Sequence, residues 1–212
     1  MPPTLGSTPV RFKDHFPHGF RDHFALSARQ GHPEGGARDR PPDPAAPAAQ
    51  GHTSFPTTAR LTGARLHGYE WLEGRGPGAV PTDLTEFSPA AYWATGTLVS
   101  TTHDLNTFYE ALLDGRLLPP RLPAEMRAMS PMNPGRPGRS YGLGLESNGN
   151  TCPSDGPVVG HTGEVVGYQT FSFTSADGRR QITLSVNTGL TMTGEAATAA
   201  MKVLSTALCR AE

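Results

Sequence analysis

Hydrophobic and polar positions divide the chain near residue 50. Downstream, apolar residues recur at regular intervals. Leu105, Phe108, Tyr109, Leu112 and Leu113 follow the i, i+3, i+4, i+7, i+8 spacing that lines one face of a helix. Thr101 and Asp104 precede this run as a capping box, and Gly115 follows it as a stop. Pro123 suits the first turn of a shorter helix reaching Met129. The period then changes from helical to alternating. Strands are predicted over 158–160, 168–175 and 181–187: Phe171 and Phe173 alternate with Ser172 and Thr174, and Ile182, Leu184 and Val186 with Thr183 and Ser185. Ala176-Asp177-Gly178 supplies a hairpin turn between the last two. A final helix over 194–208 gathers Ala196, Ala200, Val203, Leu204 and Ala207 on one face. Helices, then an antiparallel meander, then a covering helix make an α+β layer arrangement.

Upstream this order is lost. Prolines stand at 2, 3, 9, 17, 33, 41, 42, 44 and 47, and from Arg29 to Gln50 no aliphatic side chain is larger than Ala. Such a segment buries too little apolar surface to offset its ordering entropy. Residues 1–50 are therefore expected to be irregular or disordered, and 51–212 to carry the fold. Phe12, Phe16, Phe20 and Phe24 recur every four residues as in a short amphipathic helix, which Pro17 interrupts. His15, His18 and His23 have no Cys or carboxylate cluster to complete a coordination sphere, so this segment is read as solvated, with no metal. No phosphate-binding glycine loop is present, and no cofactor is expected.

Composition sharpens the division. Apolar residues make up 36% of the chain beside 25 Gly and 21 Pro, and the excess of breakers is concentrated upstream. A net charge of −1 without a basic stripe argues against nucleic acid, and no apolar run reaches transmembrane length. Cys152 and Cys209 are either two buried thiols or one disulfide between the last helix and the loop before a strand. Met1-Pro2-Pro3-Thr4-Leu5 has neither the basic nor the apolar region of a signal peptide.

The candidate chemistry lies in Gly160-His161-Thr162-Gly163, followed by Glu164-Val165-Val166-Gly167-Tyr168. An imidazole and a hydroxyl can hold a carboxylate or receive a proton, and a glycine lets a substrate backbone approach the strand edge. By itself the tripeptide also reads as a strand end with a turn glycine. Three further segments stand in order before it: Arg65-Leu66-His67-Gly68-Tyr69, the run from Ala94 to Leu105, and Tyr141-Gly142-Leu143-Gly144-Leu145. Together the four resemble the C-terminal part of the penicillin-recognising serine hydrolases, the group of serine-type D-alanyl-D-alanine carboxypeptidases and class C-like β-lactamases. The likeness runs from about residue 51 to 209.

The resemblance implies an α+β fold, an antiparallel sheet with flanking helices, present here only in part. The catalytic N-terminal portion is expected to be missing, and with it the sheet's N-terminal strand and helical layer. It implies acyl transfer, in which a serine attacks an amide or β-lactam carbonyl and water resolves the acyl-enzyme. His161 and Thr162 would be the catalytic pair that holds the substrate's terminal carboxylate. Gly163 and Glu164 would bind substrate, with the Glu164 N–H as an oxyanion donor, and Trp93 would line the cleft or anchor the core. A Cys152–Cys209 disulfide is implied too, hence an oxidising, extracellular or cell-wall location for the intact relative. The partners implied are a peptidoglycan stem peptide or a β-lactam small molecule.

The departures are as informative. Lys occurs only at 13 and 202, neither with Ser three residues before it, so the family's Ser-x-x-Lys nucleophile motif is absent, and so is Tyr-x-Asn. The chain alone is expected to be inactive, either a broken or split enzyme or a non-catalytic module that binds cell-wall peptides. Glu164 would repel an anionic C-terminus. A secreted-type body without an export signal suggests a truncated start. Where the family carries an amphipathic helix, residues 31–50 read as frame-shifted or as a Pro/Ala-rich linker; the genomic DNA decides between these.

Overall fold

The structure is a computed structural model that describes residues 24–30, 51–56, 63–135 and 137–210, apart from the side chains of 24–30, Ala90 and Trp93. Phe12, Phe16, Phe20, His15, His18, His23 and residues 31–50 lie outside the described residues.

The alternating segments assemble one antiparallel sheet. Its strands are β1 (Phe24–Gln30), β4 (Ser130–Pro131), β5 (Arg139–Tyr141), β6 (Glu146–Asn148), β7 (Val158–Val165), β8 (Tyr168–Thr174) and β9 (Arg180–Val186). The spatial order is β1-β9-β8-β7-β6-β5-β4, and a two-stranded ribbon, β2 (Tyr69–Glu70) with β3 (Thr82–Asp83), stands apart from it. The period of two separates the sheet faces. Phe171, Phe173, Ile182, Leu184 and Val186 cluster with Ala200, Val203, Leu204 and Leu208 of α3 (Gly194–Leu208) to form the core. The opposite face carries hydroxyls. Ser172 Oγ lies 2.7 Å from Thr183 Oγ1, which donates to Asn106 Oδ1 of α1 (Thr102–Leu113) at 2.7 Å. The Gln181 amide donates to the Asn106 carbonyl at 3.0 Å, so α1 meets its face of the sheet through satisfied polar groups.

Two expectations for the helices hold with changes. Thr101 caps α1 by accepting from the Asp104 N–H at 3.1 Å. The Asp104 carboxylate also reaches beyond the cap. It accepts from the His52 N–H at 2.9 Å and the Thr53 hydroxyl at 2.8 Å, pinning the segment before the helix. Burial opposes its charge, but these bonds and Thr101 outweigh it and hold the Asp104 carboxyl below its ordinary range. The helix begun by Pro123 is α2 (Leu122–Met126), shorter than the sequence suggested.

Two corrections concern strands. Phe24–Gln30, assigned from sequence to the irregular stretch and with Phe24 to a helix, is a strand paired residue for residue with β9, from Phe24 opposite Val186 to Gln30 opposite Arg180. Phe24, Leu26 and Ala28 alternate with Ala25, Ser27 and Arg29, a strand period that the fourfold Phe spacing obscures. The sheet thus has an N-terminal strand after all. And β7 does not stop at Gly160: it continues through His161, Thr162 and Gly163 to Val165, paired with β8 throughout.

A buried carboxylate locks the ribbon to the sheet. Glu70, 0% exposed, accepts from the N–H groups of Gly167, Gly189 and Thr191 at 3.0, 2.9 and 3.0 Å, and from the Thr191 hydroxyl. Burial opposes its ionisation, yet the Thr191 hydroxyl and the three backbone donors prevail and hold it below the usual carboxylate range. Gly167 takes φ +83 in the tight turn between β7 and β8, a conformation that disfavours a side chain.

The expected disulfide is formed: Cys152 and Cys209 are joined across 57 residues, tying the end of α3 to the loop before β7. A closed loop of that length restricts the unfolded chain by about 4 kcal/mol in the chain-entropy account. Replacing both cysteines by serine is therefore expected to lower unfolding free energy by about 2–4 kcal/mol in denaturant melts. Glu70→Gln replaces an acceptor oxygen with another donor among donors and is expected to cost about 2 kcal/mol. Because the folded Glu70 carboxyl titrates below its ordinary 4.5, its contribution is full above that pH and is lost as pH falls through the lower folded value. Acid titration of stability will accordingly be steeper below about pH 4.5 for the native chain than for Glu70→Gln.

Candidate active site

The site begins with a difference between the two sides of β7. On one side β8 accompanies it from Val159 to Val165. On the other, β6 pairs only with Val158, Val159 and Gly160. From His161 to Val165 the strand presents a backbone edge that no other strand among the described residues takes up, with polar groups available to an incoming chain.

Two glycines shape this edge differently. At Gly160 a Cβ would stand 1.9 Å from the Ser172 carbonyl oxygen, so only glycine allows β7 to lie this close to β8. At Gly163 a Cβ would meet no atom within 4 Å. This glycine is not required by internal packing; it leaves the edge flat where a ligand backbone would lie.

Around the motif the side chains form one network. Glu146, at the start of β6 and 4% exposed, accepts from the Thr162 hydroxyl at 2.7 Å and from the Arg139 guanidinium at 2.5 Å. His161 Nδ1 lies 3.9 Å from the same carboxylate, and closer to the Thr162 carbonyl. A carbonyl only accepts, so Nδ1 carries a proton, and Nε2 lies 3.0 Å from the Tyr141 hydroxyl. The Tyr141 ring stands edge-on to the imidazole at 5.6 Å between centroids. Burial, with the Glu146 charge adding to it, pushes the Tyr109 phenol up to about 12, so it stays protonated beside this network. Glu164 is exposed and forms no ion pair among the described residues.

The far end of β7 is anchored by the turn. The Val166 N–H donates to the Tyr92 hydroxyl at 2.9 Å and the Gly167 N–H to Glu70. Tyr92 sits in the 3₁₀ helix Pro89–Thr95. Trp93 belongs to that helix also, but its side chain lies outside the described part.

The structure therefore brings His161, Thr162, Gly163 and Glu164 together along one edge, as the sequence places them. Sequence reasoning missed Glu146, Arg139 and the function of Tyr141. Tyr141 begins a segment that carried the resemblance without a role. Glu146 stood next to Leu145, a lone carboxylate entering a strand, which is a signal worth weighing because a buried charge requires partners.

The chain matches the family model described as Beta-lactamase over residues 23–206. Among solved structures it is similar to a D-stereospecific amidohydrolase from Streptomyces sp., with 29% identity and a TM-score of 0.61 over 73% of this chain and 44% of that one. It is similar also to the D-amino acid amidase of Ochrobactrum anthropi SV3, with 26% identity and a TM-score of 0.54 over 68% of this chain and 40% of that one. The octameric penicillin-binding protein homologue from Pyrococcus abyssi, at 19% identity and a TM-score of 0.55, shares the fold over 75% of this chain and 34% of that one. The chain thus spans less than half the length of these proteins. With 184 consecutive residues inside the family's model, on a sheet whose β7 edge carries the His-Thr-Gly sequence, the chain belongs to the beta-lactamase family of serine hydrolases.

Proposed function

We propose that this chain forms the sheet-side half of an acyl-transfer cleft, in which the β7 edge receives an extended amide substrate for attack by a serine that these 212 residues do not supply in a Ser-x-x-Lys motif. The observation that carries the reading is the edge from His161 to Val165, unpaired beyond the end of β6 and flat at Gly163. A substrate strand laid there would add to the sheet by backbone hydrogen bonds. The Glu164 N–H would serve as one oxyanion donor, and Thr162 with His161 would contact the group beyond the scissile bond.

The substrates proposed are peptides ending in D-alanyl-D-alanine, as in peptidoglycan stems, or β-lactams. The names of the two amidohydrolase relatives extend this to small D-amino acid amides. The location proposed is extracytoplasmic, which the Cys152–Cys209 bond supports. Without the nucleophile motif, binding at this edge is not followed by acylation. The same lack favours a second reading, a non-catalytic module that holds cell-wall peptides.

Incubation of the purified chain with a fluorescent penicillin is expected to give no covalent adduct by gel or intact mass. A stoichiometric adduct on any serine would overturn the inactivity. Gly163→Ala is expected to leave unfolding free energy within about 0.5 kcal/mol of the native chain. It should weaken reversible binding of D-alanyl-D-alanine peptides about tenfold, the equivalent of about 1.4 kcal/mol of steric cost. Unchanged affinity would remove the ligand from this edge.

A further inference from the structure

We propose that Glu146 and Glu164 set the substrate class of the β7 edge, which selects a neutral amide over a free carboxylate in the group lying against Thr162. The inference rests on reading that edge as half a cleft, and it adds which ligand the half prefers.

The argument is one of proton placement. A side chain recognises a carboxylate by donating to it or by opposing its charge. Thr162 has one hydroxyl proton, and Glu146 Oε1 takes it at 2.7 Å. A carboxylate has no proton to give, so the direction of this bond is fixed, and Thr162 Oγ1 is left to act as an acceptor alone. His161 Nδ1 is directed at the Thr162 carbonyl, and Nε2 is occupied by the Tyr141 hydroxyl. Neither side chain of the pair has a donor left for an anion.

Charge points the same way. Arg139 is the cation of this cluster, and its Nη2 is bound to Glu146 Oε2 at 2.5 Å, which neutralises one carboxylate. Glu164 then remains beside Gly163, exposed and without a salt bridge among the described residues. Among the described residues of this cluster, Glu164 is thus the carboxylate whose charge no cation balances. A ligand carboxylate would meet lone pairs and a like charge. A primary amide would donate its two N–H groups to Thr162 Oγ1 and the Glu164 carboxylate, both acceptors. Glu146 touches no ligand in this scheme; it is a positioning residue that acts by holding the Thr162 proton.

The full chain, titrated with N-acetyl-D-alanyl-D-alanine and separately with its C-terminal amide, tests this by following the backbone N–H signals of Gly163 and Val165 in low salt. The amide is expected to bind about tenfold more tightly, in the range of a single polar or charged contact. Glu164→Gln, an exposed change that the fold tolerates, should reduce that preference at least about threefold. Glu146→Gln replaces one acceptor oxygen with an amide N–H; with the remaining oxygen held by Arg139, that N–H faces Thr162, frees its hydroxyl proton and should shift the preference toward the acid, a reversal that loss of packing alone would not produce. Equal or tighter binding of the acid by the native chain overturns the inference while leaving the cleft reading intact. If neither ligand moves Gly163 or Val165, the cleft reading itself fails and the inference with it.

Discussion

A β-strand offers hydrogen bonds on two sides, and β7 uses both only as far as Gly160. Beyond that point the pairing with β6 ends, and among the described residues five positions keep a strand neighbour on the β8 side alone. Every feature of the candidate site follows from this asymmetry. The edge is where a ligand backbone can be received, and the side chains that leave it are the ones the ligand meets. Glu146, the first residue of β6, sits where the two strands part, so its carboxylate can reach Thr162 just past the last paired residue. Had β6 continued alongside β7, the same sequence would be an interior strand with no chemistry available to it.

Buried carboxylates do much of the organising, and in two different ways. Glu70 and Asp104 are held chiefly by backbone N–H groups and hydroxyls, with no Lys or Arg paired to them among the described residues, and burial is outweighed in each case. They act as junctions between segments far apart in sequence: Glu70 joins positions 97, 119 and 121 residues away. Glu146 differs because a guanidinium balances it. Burying an ion pair is weak evidence for stability, since the cost of desolvation offsets the attraction. Fixing the direction of a neighbouring hydroxyl is something a hydrophobic replacement could not do, and that is the more economical physical account of why a charged pair stands behind this edge.

How much of this was legible before the structure follows from the kind of signal each residue carries. The central meander, α1 and α3 were readable because their periods are local, and Thr101 and Gly115 bound α1 through local rules. The disulfide was implied only through the family resemblance. β1 was not readable: seven residues with Ala, Ser and Arg between their apolar positions bury little by themselves, and what makes them a strand is β9 lying beside them. Gly160 and Gly163 obscured the continuation of β7 in the same way, since glycine disfavours a strand locally while packing against Ser172 requires it at position 160. The order His161, Thr162, Gly163, Glu164 was visible as a motif, but its polarity was not. That depends on Glu146 and Arg139, whose contacts with it exist only once β5, β6 and β7 are aligned.

The edge is also fixed from both ends by bonds within the described residues. Upstream of β7, the loop is tied to α3 by Cys152 and Cys209, and the Arg210 N–H donates to Asp155 at 2.6 Å. Downstream, the turn after Val165 is held by the Tyr92 hydroxyl and by Glu70, which is itself bound to Gly189 and Thr191. Pulling β7 outward would break bonds at one end or the other, and sliding it along β8 would bring Gly160 out of the place where only glycine fits. The shape of this edge is thus a property of the sheet and its junctions.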